Sequence, residues 1–194
     1  MIDVATAAGS LMAAFGLSGA AGLNAWIPLL AAGLLDRAGQ LQLAEPYDAI
    51  ATTPGLIVIG SLFVLDFVGD KVPAIDHLLH AIGTVVHPAS GAIVFAGPTE
   101  APTDIPSVVL FALGATVAGS LHATRATIRP ASTTLTAGAG NPVLSLGEDV
   151  SSAVLSVVAV LAPLLGVLML IVIAAVAVLW WQRIRRARAR RGLR

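Results

Sequence analysis

The chain reads as an all-α integral membrane protein with about five to six transmembrane or re-entrant helices, arranged as two related, inverted repeats. Three observations predict this. Of its 194 residues, 57% are hydrophobic and only 11% charged, whereas soluble domains carry about a quarter charged residues. Its mean hydropathy is +0.89. Its apolar residues gather in runs near the ~20 needed to cross a ~30 Å hydrocarbon layer as a helix. The alternating pattern of a membrane β-barrel is absent. One domain is expected at this length. Residues 1–182 form a single transmembrane domain, with halves at 1–97 and 104–182. Residues 183–194 form a basic tail.

Taken in order, the first apolar stretch runs from Val4 to Leu35 and exceeds one crossing. Ser18, Gly19, Gly22, Asn24 and Pro28 interrupt it. Such a cluster bends or breaks a helix. Two helical pieces joined near Gly22-Leu23-Asn24 are predicted, as a tight hairpin or a discontinuous helix. The N-terminal residues Met1 to Gly9 carry Asp3 and no basic residue. A secretory signal needs a positive start, so this run reads as retained. Asp36 to Thr53 reads as a polar connection.

Pro54 opens the next segment, since proline suits a first helical turn. It runs to Val68 and ends in the acidic cluster Asp66 to Lys71. Pro73 opens another helix, expected to break at Pro88, with apolar sequence continuing to Ala96. Gly97 to Thr103 reads as a loop. Ile105 to Ala123 is a further crossing, rich in small residues that let helices approach closely in lipid. Ile128 to Leu146 is polar and glycine-rich. It reads as a loop or a re-entrant segment, the latter tolerated only where it lines a protein-enclosed cavity. The last run, Val150 to Trp181, contains Pro163 and is either one long tilted helix or two pieces hinged there. Trp180-Trp181 fits an aromatic belt at headgroup level.

The formal net charge is zero, but its distribution is uneven. Seven of the eleven basic residues lie between Arg183 and Arg194. Arginines directly after an apolar run mark a cytoplasmic end. They also suit anionic lipid headgroups. The expected setting is a bacterial plasma (inner) membrane with the C-terminus cytoplasmic. The expected partners are the lipid bilayer, anionic headgroups through the tail, and a second copy as a homodimer. Nucleic acid is not expected, because no aromatics interleave with the arginines. With no cysteine in the chain, disulfides, thiolate metal sites and thiol nucleophiles are excluded.

Two stretches echo each other. Gly16 to Asn24 and Gly114 to His122 both open on glycine, carry further small residues and end on a polar side chain. An acid follows each at the edge of apolar sequence, Asp66 in the first half and Glu148 in the second. Glycine-rich membrane segments also resemble one another by chance, so the echo reads as coincidence or as a duplication. In transporters such repeats are often inverted, with the binding site at their interface.

Charged residues inside a bilayer are costly, so they are usually paired, interfacial or functional. Asp66, Asp76 and Glu148 are the cavity carboxylates this reasoning selects, with Arg125 as countercharge and Asn24 and Asn141 as polar partners. Asp66 and Asp70 share a helix face if the helix persists. The bland alternative places Asp70-Lys71 in a water-exposed turn, with Asp66 paired to Lys71. Asp76, His80 and His87 lie at helical spacing and form a weak metal-ligand set, one that scattered interfacial histidines imitate. Gly138 to Pro142 resembles an amide-presenting turn but lacks the lysine of a phosphate-binding loop. No hydrolase motif occurs. No catalytic residue, metal site or cofactor is assigned, and the chain reads as a non-enzyme.

Three stretches carry a resemblance: GLSGAAGLNAWIPLL from Gly16, VPAIDHLLHAIGT from Val72, and GSLHATRATIRPASTTLTAGAGNPVLSLGED from Gly119. They resemble an uncharacterised bacterial multi-pass membrane family, a domain of unknown function (DUF4126). The resemblance implies a polytopic inner-membrane protein and no established activity. It also implies acids at Asp66 and Glu148, and a basic residue where this chain has Asn24. It does not imply the histidines. The functional expectation is a small transporter or channel-like permease with cavity carboxylates. The alternatives are a non-transporting scaffold or partner subunit, and a lipid-acting membrane enzyme.

Overall fold

The computed structural model of the chain describes residues 4–69, 73–99, 105–136 and 140–192. Within these, the side chains at 4–6, 73–78, 80, 128–136, 184 and 187–192 are not described. The described residues form seven α-helices and one short 3-10 helix, with no strand. In chain order these are α1 (Val4–Leu23), α2 (Trp26–Arg37), the 3-10 helix (Tyr47–Ala51), α3 (Thr53–Gly69), α4 (Pro73–Ala96), α5 (Ser107–Thr136), α6 (Asn141–Leu161) and α7 (Pro163–Gly192). Stretches of α5, α6 and α7 are long and apolar enough to cross a membrane. Ala7–Leu23, Thr53–Gly69 and Ala81–Ala96 are shorter apolar helices. The architecture is compatible with a polytopic membrane protein.

Helix α1 is the centre of the bundle and packs against α4, α5, α6 and α7. Every residue from Gly16 to Ala25 is buried. A helix apolar on all sides belongs inside, and its small residues set how closely neighbours approach. Gly16, Gly19 and Gly22 meet three different helices: Ala159 of α6, Leu170 of α7, and Ala118 with Leu121 of α5. A β-carbon at any of the three would collide with those neighbours. The most extensive helix pairing is α4 on α5, where Gly91 and Gly114 lie backbone to backbone.

The polar connection after α2 closes one end of the bundle. Gly39 takes φ 71°, the left-handed conformation favoured just past a helix end. Leu43 and Pro98 form an isolated antiparallel bridge. Ala44 N–H donates to Gly97 O at 2.8 Å, and Thr99 N–H to Gln42 O at 2.8 Å. Arg37 Nη2 donates to Thr53 Oγ1 at 2.7 Å, tying α2 to the start of α3.

Two expectations meet their answer here. The long first stretch is two helices, broken at Asn24-Ala25. The long last stretch is also two, hinged at Ala162, whose φ and ψ of −146° and 73° are not helical. Pro163 dictates this, because the residue before a proline is pushed out of the α region.

Two expectations are corrected. Helix α4 does not break at Pro88 but runs through it. His87 and Ser90 bond to the α1–α2 junction on one side, while the Pro88 ring rests on Gly119 of α5. Tertiary contacts on both sides of the proline hold the helix through the missing N–H. The second correction concerns residues 128–146, read as a loop or re-entrant segment: 128–136 extend α5 to Thr136, and 141–146 open α6. Adding residues to a formed helix costs far less than starting one, so weak helix formers follow the crossing outward. At 30 residues α5 is about 45 Å long, more than one hydrocarbon layer. Residues 137–139, central to the amide-turn reading, lie outside the described residues.

Candidate functional site

The site grows from the break between α1 and α2. Asn24 N–H closes the last turn of α1 on Ala20 O at 3.0 Å. The next amides do not continue the helix. Trp26 N–H and Ile27 N–H turn to the Asn24 side-chain oxygen, at 2.9 and 3.1 Å. This is how an asparagine caps a new helix. It releases carbonyls of α1 from the helical ladder. In a bilayer no water re-satisfies them, so other side chains must.

Four side chains from three helices bond carbonyls around the break, those of Ala21 and Leu23 among the released ones. Ser152 Oγ of α6 donates to Ala20 O at 2.9 Å. The His87 Nδ1 of α4 lies 2.6 Å from Ala21 O. A carbonyl only accepts, so Nδ1 carries the proton. Arg125 Nη1 of α5 donates to Leu23 O at 2.5 Å. Ser90 Oγ of α4 donates to Ala25 O at 2.5 Å. Ser18 Oγ returns a bond in the other direction, to Gly91 O at 2.9 Å. A frayed helix end is thus held as a fixed structure.

The Asn24 amide nitrogen points away from the break, towards acids. It donates to Asp149 Oδ1 of α6 at 2.8 Å and lies 3.5 Å from Asp66 Oδ2 of α3. Its oxygen is committed to two N–H groups, so the amide has one orientation that satisfies the network. Asp149 is buried. Its neighbour Glu148 turns the other way and pairs with Arg125 at 2.7 Å. The two side chains of that pair are 10% and 16% exposed, so solvent screens it little. Arg125 Nη1 also lies 3.4 Å from His87 Nε2, and the His87 ring stacks on His122 at 4.2 Å between centroids. Acids of α3 and α6, a base of α5 and a histidine pair of α4 and α5 therefore surround one interrupted helix.

Of the residues selected from sequence, Asn24 and Asp66 meet through the Asn24 amide. Arg125 and Glu148 meet as an ion pair at Leu23. Asn141 opens α6, two turns and about 10 Å along the helix from Glu148. The side chains of Asp76 and His80 lie outside the described residues, as do Asp70 and Lys71. His87, read as a weak metal ligand, directs one ring nitrogen to a backbone carbonyl. Among the described residues, no group of three or more histidine and acidic side chains is placed to hold a metal ion.

Sequence reasoning chose Glu148 and passed over Asp149, Ser90 and Ser152. A signal for two of these was present. Ser145, Asp149, Ser152 and Ser156 are all buried on α6, at spacings of four, three and four. That is one helix face, and a polar stripe in an apolar helix marks the side turned to protein rather than lipid.

A family model described as a domain of unknown function, DUF4126, matches residues 11–183. No curated protein and no solved structure matches the chain.

Proposed function

The chain belongs to the DUF4126 family, a membership that assigns no activity, and from the geometry of the site we propose that it is a small membrane permease coupled to protons or a small cation. The observation that carries this reading is the Asn24 amide, placed between Asp66 of α3 and Asp149 of α6 at a helix break. Carboxylates at membrane depth are expensive and mark ion or proton paths. Discontinuous helices in transporters present backbone groups and acids to a coupling ion. Both features coincide here within one hydrogen-bonded cluster. Loss or gain of a proton at either carboxylate changes what Asn24 holds, and Asn24 also caps α2. Titration at the acids is thereby linked to the geometry of the break.

The two glycine-led stretches support a reading as related halves. Gly22 of the first packs on Ala118 and Leu121 of the second. Their terminal residues, Asn24 and His122, both reach the site through His87 or the break itself. In this reading the arginine-rich end of α7 is cytoplasmic in a bacterial inner membrane, and a homodimer is the assembly.

The test uses the full chain in sealed proteoliposomes with an internal pH dye. Under an imposed potassium or sodium gradient, the wild type moves protons faster than empty vesicles. Asp66→Asn and Asp149→Asn each lower that rate at least tenfold. Ser61→Ala, on an exposed face of α3, leaves it unchanged. Wild-type flux no greater than empty vesicles, or full flux in both asparagine variants, overturns the proposal.

A further inference from the structure

A lateral groove of about 400 Å³ lies between α6 and α7. Val143, Leu144 and Gly147 form one wall, and Val172, Val176 and Trp180 the other. Val143, Val172, Val176 and Trp180 are exposed, and both walls belong to helices long and apolar enough to cross a membrane. The surrounding phase is therefore lipid hydrocarbon. The groove follows α6 from Val143 to Ser151, about 12 Å, most of one leaflet's ~15 Å. Its lining is mostly apolar, and the occupant that the hydrocarbon phase supplies is an extended acyl chain.

Charge says what that chain carries. Trp180 belongs to the headgroup level. Arg183 is exposed and sits three residues further along α7, on the side that continues the groove wall. An acyl chain in the groove places its headgroup at that arginine. We infer that the groove between α6 and α7 is a binding site for one acyl chain of an anionic phospholipid whose phosphate rests on Arg183. Glu148 is also a groove residue, so the lipid lies directly behind the Arg125–Glu148 pair. The inference goes beyond the proposed transport and does not depend on it, since lipid retention is read without flux.

The experiment is native mass spectrometry of the full chain in detergent, titrated with phosphatidylglycerol or phosphatidylcholine. The wild type retains one phosphatidylglycerol and releases phosphatidylcholine. A β-carbon at Gly147 meets open space, so Gly147→Leu fills the groove without a backbone clash. It is expected to keep the wild-type circular dichroism and to lose phosphatidylglycerol retention at least tenfold. Arg183→Gln is expected to reduce phosphatidylglycerol to the phosphatidylcholine level. Undiminished retention in folded Gly147→Leu overturns the site, and so does a second polypeptide copurifying in place of lipid. Equal retention of the two lipids by the wild type, or unchanged preference in Arg183→Gln, overturns the headgroup assignment.

Discussion

The amide of Asn24 donates to Asp149 Oδ1 at 2.8 Å, joining residues 125 positions apart in the chain. The same side chain accepts two backbone N–H bonds that start α2. One residue therefore ends a helix, begins another and anchors an acid. Asn24→Ala keeps the backbone N–H on Ala20 O but removes the cap and the bond to the acid. The lost cap is worth about 1 kcal/mol, and the bond to the carboxylate about 1.5–3 kcal/mol. A loss of about 2–4 kcal/mol is expected, read as a lowered thermal midpoint in detergent. Asn24→Asp keeps the capping oxygen but sets a third carboxylate beside Asp66 and Asp149. Its midpoint is expected to fall below that of the alanine variant.

The Arg125–Glu148 pair is largely shielded from water. Breaking a buried pair from one side strands a charge, at about 3–5 kcal/mol. The partial exposure of both side chains puts the expected cost of Glu148→Gln nearer 2 kcal/mol. Arg125→Gln costs more, because the guanidinium also holds the Leu23 carbonyl. Unfolding of the two single variants and the double variant checks this. The double variant should lose clearly less than the sum of the singles.

Glycines separate into two groups. A β-carbon at Gly91 or Gly114 meets the opposing backbone. Gly91→Ala and Gly114→Ala therefore push α4 and α5 apart and lower stability by about 1–3 kcal/mol. A β-carbon at Gly60 meets nothing. Gly60→Ala should raise stability by about 0.5–1 kcal/mol, the difference in helix propensity. Thermal midpoints of the three variants test the contrast. Equal effects at all three positions would mean that α4 and α5 do not touch there.

Hydroxyls separate in the same way. Ser90 and Ser152 serve carbonyls of another element. Ser120 bonds the preceding turn of its own helix, on an exposed face. Ser90→Ala and Ser152→Ala should each cost about 0.5–1.5 kcal/mol. Ser120→Ala should change little. Hydrogen exchange at the amides of residues 24–27 gives a local reading, faster in the first two variants and unchanged in the third.

Much of the helix layout is legible in the residues themselves. Asn24 within small residues signals the α1–α2 break, and Pro163 the α6–α7 hinge. Pro88 misleads by the same logic. A proline breaks a helix that stands alone, whereas α4 is held on either side by α1 and α5. The polar stretch after Arg125 misleads too, because composition does not register that a helix already formed upstream continues cheaply. At the site, Asn24, Asp66, Arg125 and Glu148 are conspicuous as polar residues set in apolar sequence, but their partners are not. Asp149 is hidden beside Glu148, and only the stripe running from Ser145 to Ser156 separates their directions.

Hydropathy and run length by themselves determined that this chain is a membrane-type helical bundle, and prolines and small polar residues determined most of its breaks. These are local quantities, summed along the backbone. Tertiary structure alone decided that one amide serves acids of α3 and α6, and that His87, Ser90, Arg125 and Ser152 share the carbonyls of one broken helix. A released carbonyl in a low-dielectric interior must find a donor, yet which donor depends on how helices far apart in sequence pack, and no short window of residues encodes that.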